Sequence, residues 1–151
     1  MITTDVFIAG AGIAGSIAAL SYAKSARNVI VADPFSYEES SKFDYRTTAY
    51  LQPSKLFLEL IGVWDCVKDS AMPLEVMKII DASDKGNPGK IKSEKNFNSS
   101  EISDLPFGWN VKNSLMRSTL QDLIEREGNC KLITGTRAVD FISRDDAAYV
   151  K

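Results

Sequence analysis

The chain has 151 residues, of which 44% are apolar and 25% charged, an ordinary globular balance that excludes a disordered or collagen-like chain. Lys and Arg number 18 against 20 Asp and Glu, for a formal charge of −2, so no basic surplus is present to grip a nucleic-acid backbone and no nucleic-acid partner is expected. Histidine is absent, which removes Ser-His-Asp and Cys-His catalysis and every histidine-ligated metal site, and no metal centre is expected.

The length fits one domain or part of a larger one. The stretch 6–20 is the most apolar, yet it is shorter than the roughly 20 residues a bilayer span needs and holds Gly10, Gly12 and Gly15. Only Asp5 precedes it as a charge, so it lacks the basic region of a secretory signal. The expectation is a cytoplasmic chain that begins directly with structure. Asp5-Val-Phe-Ile-Ala9 is a short apolar run ending at glycine and reads as a buried parallel strand. Residues 13–26 are Ala-rich, with Ile13, Ile17, Leu20 and Ala23 at helical spacing. Asn28-Val-Ile-Val-Ala-Asp33 is a second, β-branched strand. The opening is therefore a βαβ unit, and the fold class expected is α/β with a parallel sheet.

Residues 34–50 read as a loop. Residues 53–61 predict a helix with Pro53 in its first turn and Gly62 at its stop. Residues 74–81 predict a strand. The turn formers of 83–89 follow, and Lys85, Lys90, Lys92 and Lys95 read as part of a solvated loop. Residues 114–127 form a second helix, with Leu115, Leu120, Leu123 and Ile124 on its apolar side and Gly128 ending it. Strands follow at 130–134 and 137–142, and a third strand-like run spans 147–151. Cys66 and Cys130 are too few for a disulfide framework and read as two reduced core thiols. The stretch 35–113 shows no obvious sheet of its own, and the chain stops within a hairpin. An incomplete domain is therefore expected, poorly soluble by itself because of its uncovered apolar faces.

Gly10-Ala-Gly12-Ile-Ala-Gly15 fits G-x-G-x-x-G. The first glycine permits the turn after the strand, the second leaves room for a diphosphate, and the third lets helix and strand pack closely. The amides that open the helix, at Ile13, Ala14 and Gly15, then face the phosphates. Asp33, 21 residues beyond Gly12, is placed to accept hydrogen bonds from ribose hydroxyls. The alternative is a glycine turn that only packs, with Asp33 capping a loop. An NAD dehydrogenase would continue in short βα units. Here 80 residues separate Asp33 from Ser114, a layout that favours FAD.

The opening motif, with Phe43-Asp-Tyr-Arg-Thr-Thr-Ala-Tyr50, Leu60-Ile-Gly-Val-Trp-Asp65 and Phe107-Gly-Trp-Asn-Val-Lys-Asn-Ser-Leu-Met116, resembles the ubiquinone-biosynthesis hydroxylases. These are FAD-dependent aromatic monooxygenases related to p-hydroxybenzoate hydroxylase. The likeness covers the whole chain but only the N-terminal part of the family. It implies that FAD, reduced by NAD(P)H, hydroxylates a prenylated phenol with O₂. It also implies that Arg46 lies near the flavin's ribityl and diphosphate region, that Asn113 contacts the flavin tail, and that the backbone at Val139 lies against the adenine. Each has a plainer reading: Arg46 paired with Asp44 or another surface acid, Asn113 as the N-cap of the helix at Ser114, and Val139 as an ordinary strand residue. Asp33 stands where the family has Glu. The family's later flavin motifs have no counterpart here, so no catalytic residue is assigned. The resemblance implies a fragment that is inactive alone, a complementary C-terminal chain as partner, and peripheral membrane contact through the prenylated substrate. The competing readings are a small non-enzymatic nucleotide-binding module and a fragment of an NAD-dependent oxidoreductase.

Overall fold

The computed structural model describes residues 1–37, 44–82 and 89–151. Strand β1 (Val6–Ala9) leads through the glycine turn into helix α1 (Ile13–Lys24), and the chain returns as β2 (Val29–Asp33). Val29 to Ala32 are all buried, and β-branched side chains suit a strand covered on both faces. β1 and β2 pair in parallel, Val6 opposite Val29 through Ala9 opposite Ala32. The third strand of this sheet is β8 (Cys130–Thr134), parallel to β2 on its other side, so the order is β1-β2-β8.

The stretch between β2 and β8 builds its own antiparallel layer, contrary to the expectation that it lacked a sheet. β3 (Thr47–Leu51) lies where a loop was expected. It runs into helix α2 (Gln52–Leu60), which has Pro in its first turn. Gly62, just past the end of α2, has φ 76°, the left-handed value that glycine adopts without strain. A short helix, α3 (Trp64–Val67), follows. The single strand expected over 74–81 is split at Glu75: β4 (Met72–Leu74) joins one sheet, and β5 (Val76–Asp81) pairs with β6 (Ser93–Asn98) in another. Lys95 thus lies in a strand, its Nζ 5.0 Å from the Phe97 ring, instead of in a loop. The turn formers of 83–88 lie outside the described residues, as does Phe43 of the family-like segment. β7 (Gly108–Lys112) is the central strand of a sheet ordered β3-β7-β4.

β7 passes directly into helix α4 (Asn113–Arg126), which returns the chain to the parallel sheet. This helix ends at Glu127 in extended conformation. Gly128 has no left-handed φ, so the stop does not depend on it as expected. β9 (Phe141–Ser143) and β10 (Ala148–Val150) close the chain as a hairpin, shorter than the strand expected over 137–142.

The core lies where α1 and α4 meet the parallel sheet. Leu20, Val31, Met116 and Leu120 are fully buried, joined by Leu58, Val63 and Val67 from the second layer. Side chains of this size contribute about 1.5–3 kcal/mol each when buried. Trp64 and Trp109 meet edge-on with centroids 5.4 Å apart. The cysteines are free; Cys130 is half-buried and packs against the core, whereas Cys66 is exposed and is not the core thiol expected. Burial raises the Cys130 thiol pKa above its ordinary value, with Glu127 acting in the same direction.

Candidate dinucleotide-binding site

β1 aims the chain at Gly10, whose φ of 106° turns it sharply. The Gly10 amide donates to the carbonyl of Ala32 at 2.7 Å, continuing the β1–β2 ladder into the turn. A Cβ at Gly15 would overlap the Gly10 carbonyl, so the first turn of α1 lies directly on the loop. Gly12 is different. Its φ is −65° and a Cβ there would come no nearer than 3.7 Å to any atom outside its immediate chain neighbours. The fold itself does not require glycine at 12. What a side chain there would obstruct is approach from outside.

Gly12 is also the N-cap of α1, and no side chain caps the helix. The first intrahelical bond runs from the Ser16 amide to the Gly12 carbonyl at 2.9 Å. The amides of Ile13, Ala14 and Gly15 precede it and have no intrahelical acceptor. The buried Ser16 hydroxyl donates to the Ala11 carbonyl at 3.1 Å, bracing the loop from below.

Asp33 ends β2 facing this turn. Its Oδ2 accepts the Ala11 amide at 2.7 Å and its Oδ1 the Phe35 amide at 2.8 Å. The loop-capping alternative is therefore present in the structure. It does not exhaust the carboxylate, because each oxygen has a second lone pair. Ala11, Ser16, Asp33, Phe35, Arg117 and Thr134 line a cleft at this end of the parallel sheet. Arg117, on α4, was not a sequence candidate. It lies about 100 residues beyond the glycine loop, and only the packing of α4 on α1 brings it there.

Arg46 and Asn113 come together elsewhere. Arg46 Nε and Nη2 donate to the two carboxylate oxygens of Asp44 at 2.8 and 2.9 Å, and the guanidinium remains 79% exposed. These hydrogen bonds hold the Asp44 carboxyl well below the usual carboxylate range, with help from Asn113. The Asn113 amide donates to the Arg46 carbonyl at 3.0 Å. Its side-chain oxygen accepts the Thr48 hydroxyl at 2.7 Å, and its Nδ2 donates to Asp44 at 3.4 Å. Asn113 is thus not the helix cap: α4 begins at Asn113 itself, with Lys112 at the cap position. Neither Arg46 nor Asn113 lines the cleft around Asp33. Val139 is 67% exposed and outside any strand, with its amide bonded to the Lys151 carbonyl at 2.7 Å, so its ordinary-strand reading does not hold either.

Among the described residues, no group of three or more Cys, Asp or Glu is placed to hold a metal ion. No helix among them is long and apolar enough to cross a membrane.

This α/β fold, a parallel sheet with a glycine turn at its strand ends interrupted by an antiparallel layer, is similar to the folds of solved flavin-dependent monooxygenases. p-Nitrophenol 4-monooxygenase PnpA from Pseudomonas putida DLL-E4 matches 96% of this chain with 34% of its own, at TM-score 0.72 and 16% identity. The flavin-dependent monooxygenase PieE, solved with FAD and substrate, matches 99% of this chain with 26% of its own, at TM-score 0.72 and 16% identity. A flavoprotein/dehydrogenase from Cytophaga hutchinsonii matches 93% with 32% of its own, at TM-score 0.69 and 22% identity. The chain therefore spans about a third of the length of the solved structures it matches. No protein-family model and no curated protein matches it.

Proposed function

We propose that this chain is the FAD-binding part of an aromatic monooxygenase that hydroxylates a prenylated phenol in ubiquinone biosynthesis, with NAD(P)H as reductant. The observation that carries the cofactor assignment is Gly12. It is a glycine that the fold does not need, set beside uncapped helix amides and opposite an acidic side chain at the end of the next strand. That donor and acceptor set fits a dinucleotide: amides of Ile13, Ala14 and Gly15 for the diphosphate, Asp33 for the ribose. The likeness in fold to PieE, which was solved with FAD, supports FAD over NAD.

FAD supplies the redox chemistry when bound. The residues of this chain bind and orient its ADP half. Asp33 and the Gly10 turn fix where the ribose and diphosphate lie, and the α1 dipole favours the negative charge. Arg46 and Asn113 form a second polar cluster, for the flavin tail. Assignment of the substrate as a prenylated phenol rests on the sequence likeness of 43–50, 60–65 and 107–116. The active site also needs a complementary polypeptide. The β5–β6 hairpin supports this, since Val76, Met77, Ile79 and Ile80 are exposed on its two faces. Contact with a membrane surface would come with the prenylated substrate.

The test is an equilibrium titration of the isolated chain with ADP and with FAD, read by calorimetry and flavin fluorescence. Saturable one-to-one binding of both is expected, with FAD lost on gel filtration in the absence of the complementary chain. Absence of saturable binding to either ligand would overturn the proposal, and preference for NAD over FAD would overturn its flavin assignment.

A further inference from the structure

We propose that Arg117 is a diphosphate-binding residue of this site, reaching across from α4 to clamp the anion that the α1 amides receive. The inference rests on the dinucleotide reading above and adds to it a residue that no sequence motif marks. The Arg117 guanidinium lines the cleft, with Nη2 3.7 Å from where a Cβ of Gly12 would stand. It is half-buried, and among the described residues no hydrogen bond or ion pair engages it. Asp33, the acid of the same cleft, is held by the Ala11 and Phe35 amides and forms no ion pair with it.

This arrangement is electrostatically unfavourable without a ligand. A cation beside a helix N-terminus opposes the macrodipole. The first turn of α1 has no acidic residue, and no side chain caps it. Positive potential from two elements therefore converges on Gly12, while the one acid of the cleft, Asp33, is held by the Ala11 and Phe35 amides and forms no ion pair with Arg117. A diphosphate at Gly12 satisfies both: its oxygens accept from the free amides on one side and from the planar guanidinium fork on the other. An uncharged ligand, or the adenosine part alone, would gain nothing from Arg117.

The experiment compares the whole chain with its Arg117→Gln and Arg117→Lys variants, using ADP and adenosine as calorimetric probes and thermal unfolding without ligand. Arg117→Gln is expected to weaken ADP binding by about tenfold or more and to leave adenosine within about twofold, with Arg117→Lys intermediate. Without nucleotide, the Arg117→Gln midpoint is expected to equal or exceed that of the parent chain, because an unfavourable charge has been removed. If the parent binds ADP and Arg117→Gln binds it equally well, the Arg117 assignment fails and the dinucleotide site stands. If both probes weaken together and the ligand-free midpoint falls, Arg117 is structural and the assignment fails. If the parent chain binds no ADP, both readings fail together.

Discussion

Gly15 is pressed onto Gly10: a methyl group on the first would overlap the carbonyl oxygen of the second, whereas Gly12, between them, has room for one. The two substitutions should therefore separate folding from binding. Gly15→Ala forces the backbone apart and is expected to cost about 1–3 kcal/mol, as overpacking does. Gly12→Ala replaces one N-cap by a poorer one and should cost about 1 kcal/mol or less. Its ADP affinity should nevertheless fall by about tenfold, because the methyl stands where a diphosphate would lie. Urea midpoints and calorimetry on the same two variants check this. A Gly12→Ala chain that binds ADP normally would contradict the site.

Asp33→Asn leaves a single side-chain oxygen for two backbone donors, the amides of Ala11 and Phe35. The new amide group points a donor at one of them. The expected cost is about 1–3 kcal/mol, the penalty for an unsatisfied polar group in a partly covered site. Urea unfolding should show a lower midpoint with unchanged slope. Equal stability would mean that the loop does not depend on the carboxylate.

Acid should loosen the second polar cluster before the core. Hydrogen bonds from Arg46 depress the Asp44 carboxyl in the folded chain, so its contribution is fully present above the unfolded value of about 3.9 and is lost as pH falls through the lower folded value. The Asp44 side chain is covered, but its partner guanidinium is largely in solvent, which limits the size of the effect. Asp44→Asn should lower the neutral plateau slightly and flatten the acid limb of a stability-against-pH curve, so that parent and variant converge at low pH. An unaltered acid limb would show that the ion pair does not form in solution.

Tyr50 is 6% exposed, and among the described residues its hydroxyl, beside the Thr48 side chain, makes no well-formed hydrogen bond. Tyr50→Phe removes a buried, poorly matched polar atom and keeps the ring in the buried core cluster. The variant is expected to be as stable as the parent or up to about 1–3 kcal/mol more stable. A clear loss of stability in thermal or urea unfolding would mean that the hydroxyl is satisfied.

The elements legible in the sequence are those whose burial imposes a period. Val29 to Ala32 are buried without a break, and Met116, Leu120 and Ile124 recur on one side of α4. The missed strands carry no such pattern. β6 reads Ser-Glu-Lys-Asn-Phe-Asn and is almost wholly exposed, so cross-strand pairing with β5 shapes it more than burial does. β3 opens with two threonines and buries only Tyr50, and it exists because β7 lies beside it. In the site, the glycine loop and Asp33 were readable because they are neighbours along a βαβ unit. Arg117 was not, because nothing local distinguishes an arginine on the cleft side of a helix from one in solvent. The Arg46–Asp44 pairing was one of the readings the sequence left open, and the position of Asn113 at the sheet-to-helix junction was not legible.

The pairing of β2 with β8 spans nearly a hundred residues of chain, while β1 and β2 are joined within about thirty. Parallel contacts of such separation form slowly, since the intervening loop must close before they stabilise anything. During synthesis the βαβ unit would wait on the ribosome with one flank of β2 bare until residue 134 emerged. The antiparallel layer is built wholly from residues between the two strands, so it is complete in the chain before β8 and leads through α4 to the waiting strand.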